Sequence, residues 1–141
     1  MSSERPRAVV VAVLGLTAMI AWTLAVKYVA PWCWFLAERA AGRAPQSVPL
    51  MWDFWPLVHA ALAVALWRRA SWTWTFAAAV AFAEIAVVTV KFALFLGAPE
   101  WTFWKLLWLT NKIYVLVFFA VFAGWLFGPG RAALRPARVE A

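Results

Sequence analysis

The stretch WTFWKLLWLTNKIYVLVFF, residues 101–119, is long and apolar enough to cross a lipid bilayer, yet it contains two lysines and an asparagine. A bilayer span needs about 20 mostly apolar residues, and it must be helical because no water is present to satisfy its backbone. A charged side chain inside the hydrocarbon is costly, so it needs a partner or a wet cavity. Lys105, Asn111 and Lys112 therefore predict that this helix faces a polar site.

The whole chain has the composition of an integral membrane protein. Its 141 residues are 67% hydrophobic and 13% charged, whereas a soluble domain is about half apolar and a quarter charged. Four apolar runs of membrane length predict an all-α fold, a four-transmembrane-helix bundle. We expect one domain over residues 1–130, with spans at about 8–29, 48–67, 72–96 and 101–127, followed by a basic tail at 131–141.

The arginines predict the orientation of these spans. Cytoplasmic loops carry an excess of Lys and Arg, and the net charge of +7 is unevenly placed along the chain. We therefore expect both termini to be cytoplasmic, in a multi-pass protein of the cell membrane. The basic residues form no stripe with readout side chains, so nucleic acid is not an expected partner. The residues that would share the cytoplasmic side are Arg5, Arg7, Arg68, Arg69, Arg131, Arg135 and Arg138.

The connections between the spans contain turn residues. RRAS at 68–71 is a short basic turn, and GAPE at 97–100 is punctuated by glycine and proline. The first connection is longer. Its stretch PWCWFLAERAAGR, residues 31–43, predicts a short interfacial helix that ends at Gly42 and Pro45.

The chain offers little to hold a metal or a cofactor. It has one histidine and one cysteine, and a single histidine cannot ligate a haem from both sides. No set of Cys, His and carboxylate residues has metal spacing, and no Gly-rich loop could cradle phosphate. We expect no metal and no cofactor.

The polar residues of the fourth span share one helical face with three tryptophans. At 3.6 residues per turn this face covers roughly a third of the circumference, and we expect it to look toward other helices or a cavity. Trp104, Trp108, Asn111 and Lys112 are therefore candidate ligand-binding residues. The full face consists of Trp101, Trp104, Lys105, Trp108, Asn111 and Lys112.

The third span has its own polar stripe, because Glu84 and Lys91 are seven positions apart. At about 1.5 Å per residue, Glu84 and Lys112 both fall near the bilayer midplane. The short turn between the third and fourth spans makes them antiparallel, so we expect Glu84 and Lys112 to meet as a pair. Glu84 is a candidate catalytic residue and Lys91 a candidate ligand-binding residue. A purely structural ion pair is the alternative.

The second span adds Asp53 at its outer end and His59 deeper in the membrane. Trp55 lies on the same face as His59. We take Asp53 and His59 as candidate catalytic residues and Trp55 as a ligand-binding residue. The alternatives without a catalytic role are a helix-terminal charge for Asp53 and a packing role for His59. Together the spans predict a cavity that opens toward the outer leaflet, polar at its floor and walled by aromatic rings.

Residues 51–127 resemble the EXPERA domain, the four-helix module of the emopamil-binding sterol isomerases and sigma-2-type receptors. In FWKLLWLTNKIY, Phe103 and Trp104 precede Asn111 by the interval seen in the sterol isomerases, and Tyr114 matches the aromatic that follows. The resemblance implies that Tyr114 also binds the ligand. The first helix of those enzymes carries a His and a Glu, where this chain has Lys27 and no carboxylate.

These features favour binding of a hydrophobic lipid, sterol-like or isoprenoid ligand, with membrane lipids as the other partners. Whether the protein also acts as an isomerase is left open by the sequence. Three alternatives remain. They are a small transporter that dimerises around the midplane carboxylate Glu84, an accessory subunit of a membrane complex, and a membrane terpenoid or carotenoid cyclase.

Overall fold

The computed structural model describes residues 6–43, 45–50 and 53–134, and this part of the chain is helical without any strand. Three of its helical segments are long and apolar enough to cross a membrane, namely Arg7–Ala40, Thr73–Gly97 and Phe103–Phe127. The prediction of an all-helical fold is thereby confirmed for the described residues, and three of the helical segments have the length and hydropathy of membrane spans. The helices are α1 (Arg7–Leu24), a π turn (Ala25–Val29), α2 (Ala30–Ala40), α3 (Trp55–Arg68), α4 (Thr73–Gly97), α5 (Phe103–Phe127) and α6 (Gly130–Ala133).

Helices α1 and α2 form one continuous helix of 34 residues, joined by the π turn. At 1.5 Å per residue it is about 51 Å long, so it extends past the hydrocarbon layer of about 30 Å. The expected interfacial helix at 31–43 is therefore the outer part of the first helix. Pro31 lacks the N–H that would bond to the carbonyl of Lys27, and the wider π turn immediately before it accommodates this loss. The helix stops where Gly42 takes a φ of 75°.

Helix α3 is shorter than the predicted second span and begins at Trp55 rather than near Val48. It has 14 residues, or about 21 Å. Residues 45–50 are not helical, and they include Pro45 and Pro49. Pro56 occupies the first turn of α3, where its missing N–H removes no helical bond, so it starts the helix without bending it.

The helices pack around an apolar core. This core lies toward the end of the helical bundle that holds the start of α1 and the end of α5. Helix α1 packs along α3, α3 packs against α4, and α4 and α5 form an antiparallel hairpin that also contacts α1. Alanines on α4 let the neighbouring helices come close, as small residues do in membrane helices. The core residues include Leu16, Met19, Leu62, Leu66, Ala77, Ala81, Val88, Val115, Phe119, Phe122 and Leu126.

The turn between α3 and α4 is held to the end of α5. Thr73 donates a hydrogen bond to the carbonyl of Ala65 at 3.0 Å, and the Trp74 indole donates to the carbonyl of Leu126 at 3.0 Å. Leu134 is buried in the same core as Val9, near the start of α1. The start of α1, the α3–α4 turn and the end of α5 therefore lie at the same end of the molecule.

Phe119 tests the packing at the centre of this core. Its side chain is 0% exposed, so Phe119→Ala should lower the free energy of unfolding by about 3–5 kcal/mol. Phe82→Ala is the matched control, because Phe82 is 56% exposed and its loss should cost much less. Both values are measured by unfolding in one detergent, and equal losses for the two variants would contradict this packing.

Candidate functional site

Most of the buried polar side chains converge from four helical segments. Thr73 belongs to the α3–α4 turn, and the others form the site described below, together with Asp53 and Lys91 at its edge. Polar side chains in a membrane-spanning region are expensive, and they mark functional sites by default. The buried polar and charged residues in the described part of the chain are Thr23, Lys27, His59, Thr73, Glu84, Asn111 and Lys112.

An ion pair between Lys27 and Asp53 joins the π turn to the residues that precede α3. Lys27 is buried, and Asp53 is partly buried beside it. The second carboxylate oxygen of Asp53, Oδ1, is buried and makes no hydrogen bond within the protein. Two charges with so little water contact stabilise each other only because they are paired. The pair thus fixes the outer end of α3 against the first helix.

Glu84 pairs with His59, and this corrects the expectation that it meets Lys112. His59 Nε2 lies 2.7 Å from Glu84 Oε1, and the two residues are 1% and 2% exposed. Among the described side chains, no ion pair links Glu84 to Lys112. Counting residues along the helices estimates depth but not the direction in which a side chain points. The His59 ring also lies 5.3 Å from the ring of Phe119 on α5. His59 therefore packs between Phe119 and Glu84.

Three of the deeply buried residues keep a polar atom that has no hydrogen-bond partner among the residues that the structure describes. They are His59 at Nδ1, Glu84 at Oε2 and Asn111 at Nδ2. A buried polar group without a partner costs about 1–3 kcal/mol, and such groups are rare in folded proteins. These three atoms therefore keep a hydrogen-bonding capacity that no described residue uses.

Asn111 is held in place by the first helix. The Thr23 hydroxyl donates to Asn111 Oδ1 at 3.3 Å, which leaves the amide nitrogen as a donor. Thr23 and Lys27 are four residues apart on the first helix and both are buried. The sequence analysis assigned neither of them to the site. Their spacing, which places two polar side chains on one face of an apolar helix, is the signal that could have found them.

Lys112 is 4% exposed and lies close to other charges. It is repelled by Lys91 and attracted by Glu84. Lys27 is repelled by Lys112 and Lys91 and is also attracted by Glu84. Lys91, on α4, is half-buried. Lys27, Lys91, Lys112 and Glu84 thus form one electrostatically coupled group.

The tryptophans of α5 line cavities at the outer end of the α4–α5 hairpin. A cavity of about 350 Å³ is bordered by Lys91, Phe95, Lys105 and Trp108, and a second of about 310 Å³ is bordered by Leu50, Trp104, Lys105 and Trp108. Both Trp104 and Trp108 are half-buried. The ring of Trp108 lies 5.8 Å from Phe95, and the ring of Trp104 lies 5.4 Å from Trp34. The two tryptophans therefore form the aromatic wall of these cavities.

Two other predicted ligand-binding residues lie in different places. Trp55 is half-buried and stacks on the His59 ring at 5.9 Å, so it borders the site. Tyr114 is 39% exposed and contacts Trp22 edge-on at 6.3 Å. Tyr114 therefore lies on the surface of α5 that faces Trp22 of α1.

No protein-family model matches this sequence, and no curated protein and no solved structure matches it either. Within the described ranges, no group of three or more His, Cys, Asp or Glu side chains could hold a metal ion. The function must therefore be inferred from the buried polar side chains themselves.

A double-mutant cycle tests the pairing of Glu84. His59→Ala, Glu84→Ala and the double variant should show a coupling energy of about 1–3 kcal/mol, because the two side chains are in direct contact. The same cycle for Glu84 and Lys112 should give a smaller value. A larger coupling for Glu84 with Lys112 than with His59, measured by unfolding in detergent, would contradict the structure.

The Lys27–Asp53 ion pair makes a second prediction. Asp53→Leu leaves Lys27 buried without its partner and should lower the free energy of unfolding by about 3 kcal/mol. Adding Lys27→Met should restore most of this loss, because both charges are then gone. If the double variant is no more stable than Asp53→Leu in the same unfolding assay, the pair is not a coupled one.

Proposed function

We propose that this protein binds a hydrophobic ligand, a lipid, sterol-like or isoprenoid molecule, in a cavity inside the membrane. The observation that carries the proposal is the set of buried polar atoms on His59, Glu84 and Asn111 that have no hydrogen-bond partner in the described part of the chain. Trp104 and Trp108, which line the two cavities, belong to the same helix as Asn111, and an apolar ligand with a polar group fits this combination. Ligand pockets are mostly apolar, with a few polar groups that fix orientation.

We also propose that the protein crosses the membrane four times. The start of α1, the α3–α4 turn and the end of α5 lie together, as the contacts of Val9 and Trp74 indicate. After α1 and α2 leave that end, α3 is the segment that leads the chain back to it. The clustered arginines at this end favour a cytoplasmic location for both termini, and the cell membrane is the compartment we propose.

The His59–Glu84 pair supports proton-transfer chemistry on the ligand. A carboxylate that binds one imidazole nitrogen fixes the orientation and tautomer of the ring, and leaves the other nitrogen to act as a base or an acid. Here Glu84 contacts Nε2, and Nδ1 is the nitrogen without a partner. An isomerase that moves a double bond must add a proton at one carbon and remove a proton from another, and a positioned imidazole carries out such transfers. We propose isomerisation of the bound ligand as the reaction that this pair serves.

The EXPERA resemblance supports the same reading from the sequence side. Its motif residues Trp104 and Asn111 both border the proposed site, with Trp104 on the aromatic wall and Asn111 buried. The transporter alternative requires Glu84 to face a second copy of the chain. The burial of Glu84 against His59 within one chain favours the ligand-binding function over that alternative.

The first test is mass spectrometry of lipids that co-purify with the protein. The wild type should carry one enriched isoprenoid or sterol-like species, and Asn111→Leu should lose it, because the Asn111 amide is a free donor inside the site. Thr110→Val is the matched control, since Thr110 is exposed and bonds only to the carbonyl of Leu106. Bulk phospholipid alone in all three samples would overturn the proposed function.

A further inference from the structure

We propose that the ligand of this site carries an anionic head group, a phosphate or a carboxylate, that Lys112 and Lys91 hold at the end of the cavity. This inference rests on the proposed function, because it specifies the ligand of the same site. It follows from the balance of buried charge around Lys112.

Lys112 has no counter-ion within the described part of the protein. Its side chain is 4% exposed, and the ion pairs of that part of the chain join Lys27 to Asp53, Arg43 to Glu38, His59 to Glu84 and Lys105 to Glu100. A buried ammonium group without a partner is among the costliest features that a protein can contain. Negative charge from a ligand would therefore stabilise the Lys112 ammonium group.

Glu84 is not paired with this ammonium group. It attracts Lys112, but the contact that it makes is with His59, at 2.7 Å. Asp53 is likewise committed to Lys27. The two carboxylates nearest the site thus already have partners, and neither is placed to neutralise Lys112.

Lys91 makes the excess of positive charge larger. It repels Lys112 and Lys27, so three ammonium groups act on one another, and Lys91 is the one of the three that borders the cavity of about 350 Å³. With the three lysines charged against Glu84 and Asp53, the group has a surplus of positive charge. Like charges so placed in a membrane are stabilised by an anion that contacts more than one of them.

On α5 and at Lys91 the side chains of the site are hydrogen-bond donors, whereas Glu84 Oε2 on α4 is an unpartnered acceptor. Lys112 and Lys91 present ammonium groups, and Asn111 adds the unpartnered Nδ2 one position before Lys112. A group that accepts several hydrogen bonds, such as a phosphate or carboxylate, fits these donors. A neutral hydroxyl or a cationic amine does not neutralise the lysines.

The adjoining cavity has the form that an anionic amphiphile needs. It has a volume of about 350 Å³, and Lys91, Leu94, Phe95 and Trp108 are among its lining residues. Lys112 lies one helical turn below Trp108 on the same face of α5. The head group would therefore lie between Lys91 and Lys112, and the chain would run along the aromatic and aliphatic wall.

Three matched probes test the proposal. Radiolabelled oleyl phosphate is bound to the full-length protein in neutral-detergent micelles, and unlabelled oleyl phosphate, oleyl alcohol or inorganic phosphate competes with it. Oleyl phosphate should compete about tenfold or more better than oleyl alcohol, because charge-assisted hydrogen bonds are the strong ones. Lys112→Met and, separately, Lys91→Met should each weaken oleyl phosphate binding while leaving oleyl alcohol binding unchanged.

Arg68→Met is the control, because Arg68 is an exposed cation at the other end of α3 and its loss should change neither ligand. If Lys112→Met does not fold, Lys91→Met still tests the charge requirement, since Lys91 is only half-buried. Full competition by inorganic phosphate alone would support the anion site but identify a free anion as its ligand.

Two results would overturn the inference, and they differ in what else they remove. Equal competition by oleyl phosphate and oleyl alcohol in the wild type would contradict the anionic head group but leave hydrophobic ligand binding intact. Absence of saturable binding by either oleyl probe, with no effect of inorganic phosphate, would contradict both the anion site and the proposed function.

Discussion

The contact between His59 and Glu84 determines how charge is distributed in the rest of the site. It places a short helix, α3, against a long one, α4, through a polar link in an apolar surrounding. It orients the only histidine of the chain. It also engages the only carboxylate that is near the bilayer midplane by residue counting, which leaves Lys112 without a counter-ion of its own. This one side-chain contact thereby affects the packing of the helices and leaves His59 Nδ1 without a partner among the described residues. It also determines that the proposed ligand carries negative charge.

Much of the architecture could be predicted from length and hydropathy. Helices Thr73–Gly97 and Phe103–Phe127 lie close to the spans expected at 72–96 and 101–127, because long apolar runs between Gly- and Pro-containing turns leave little freedom. The first two segments differ more. Only Ala30 lies between the predicted span at 8–29 and the predicted interfacial helix at 31–43, so the first helix continues through both. The prolines before Trp55 delay the start of the second.

The site was harder to predict, because a helical wheel gives relative directions along one helix only. It correctly placed Asn111 and Lys112 on one face of α5, and the structure buries both. It could not say which neighbour each face meets. Glu84 and Lys112 have similar depths, but the neighbour of Glu84 depends on how α3 packs against α4, and that packing arises from the whole apolar core. The ion pair between Lys27 and Asp53 could likewise not be predicted, because the two residues are distant in sequence.

The π turn at Ala25–Val29 also fixes the phase of the first helix. A π turn is equivalent to one residue inserted into an α-helix, and each residue of an α-helix turns the chain by about 100°. Residues on either side of the turn are therefore out of step with an uninterrupted helix. Below it Thr23 meets Asn111, within it Lys27 meets Asp53, and above it Trp34 meets Trp104. A lineage that lost one residue from this turn would rotate the outer part of the helix relative to the inner part, and could not keep all three contacts at once.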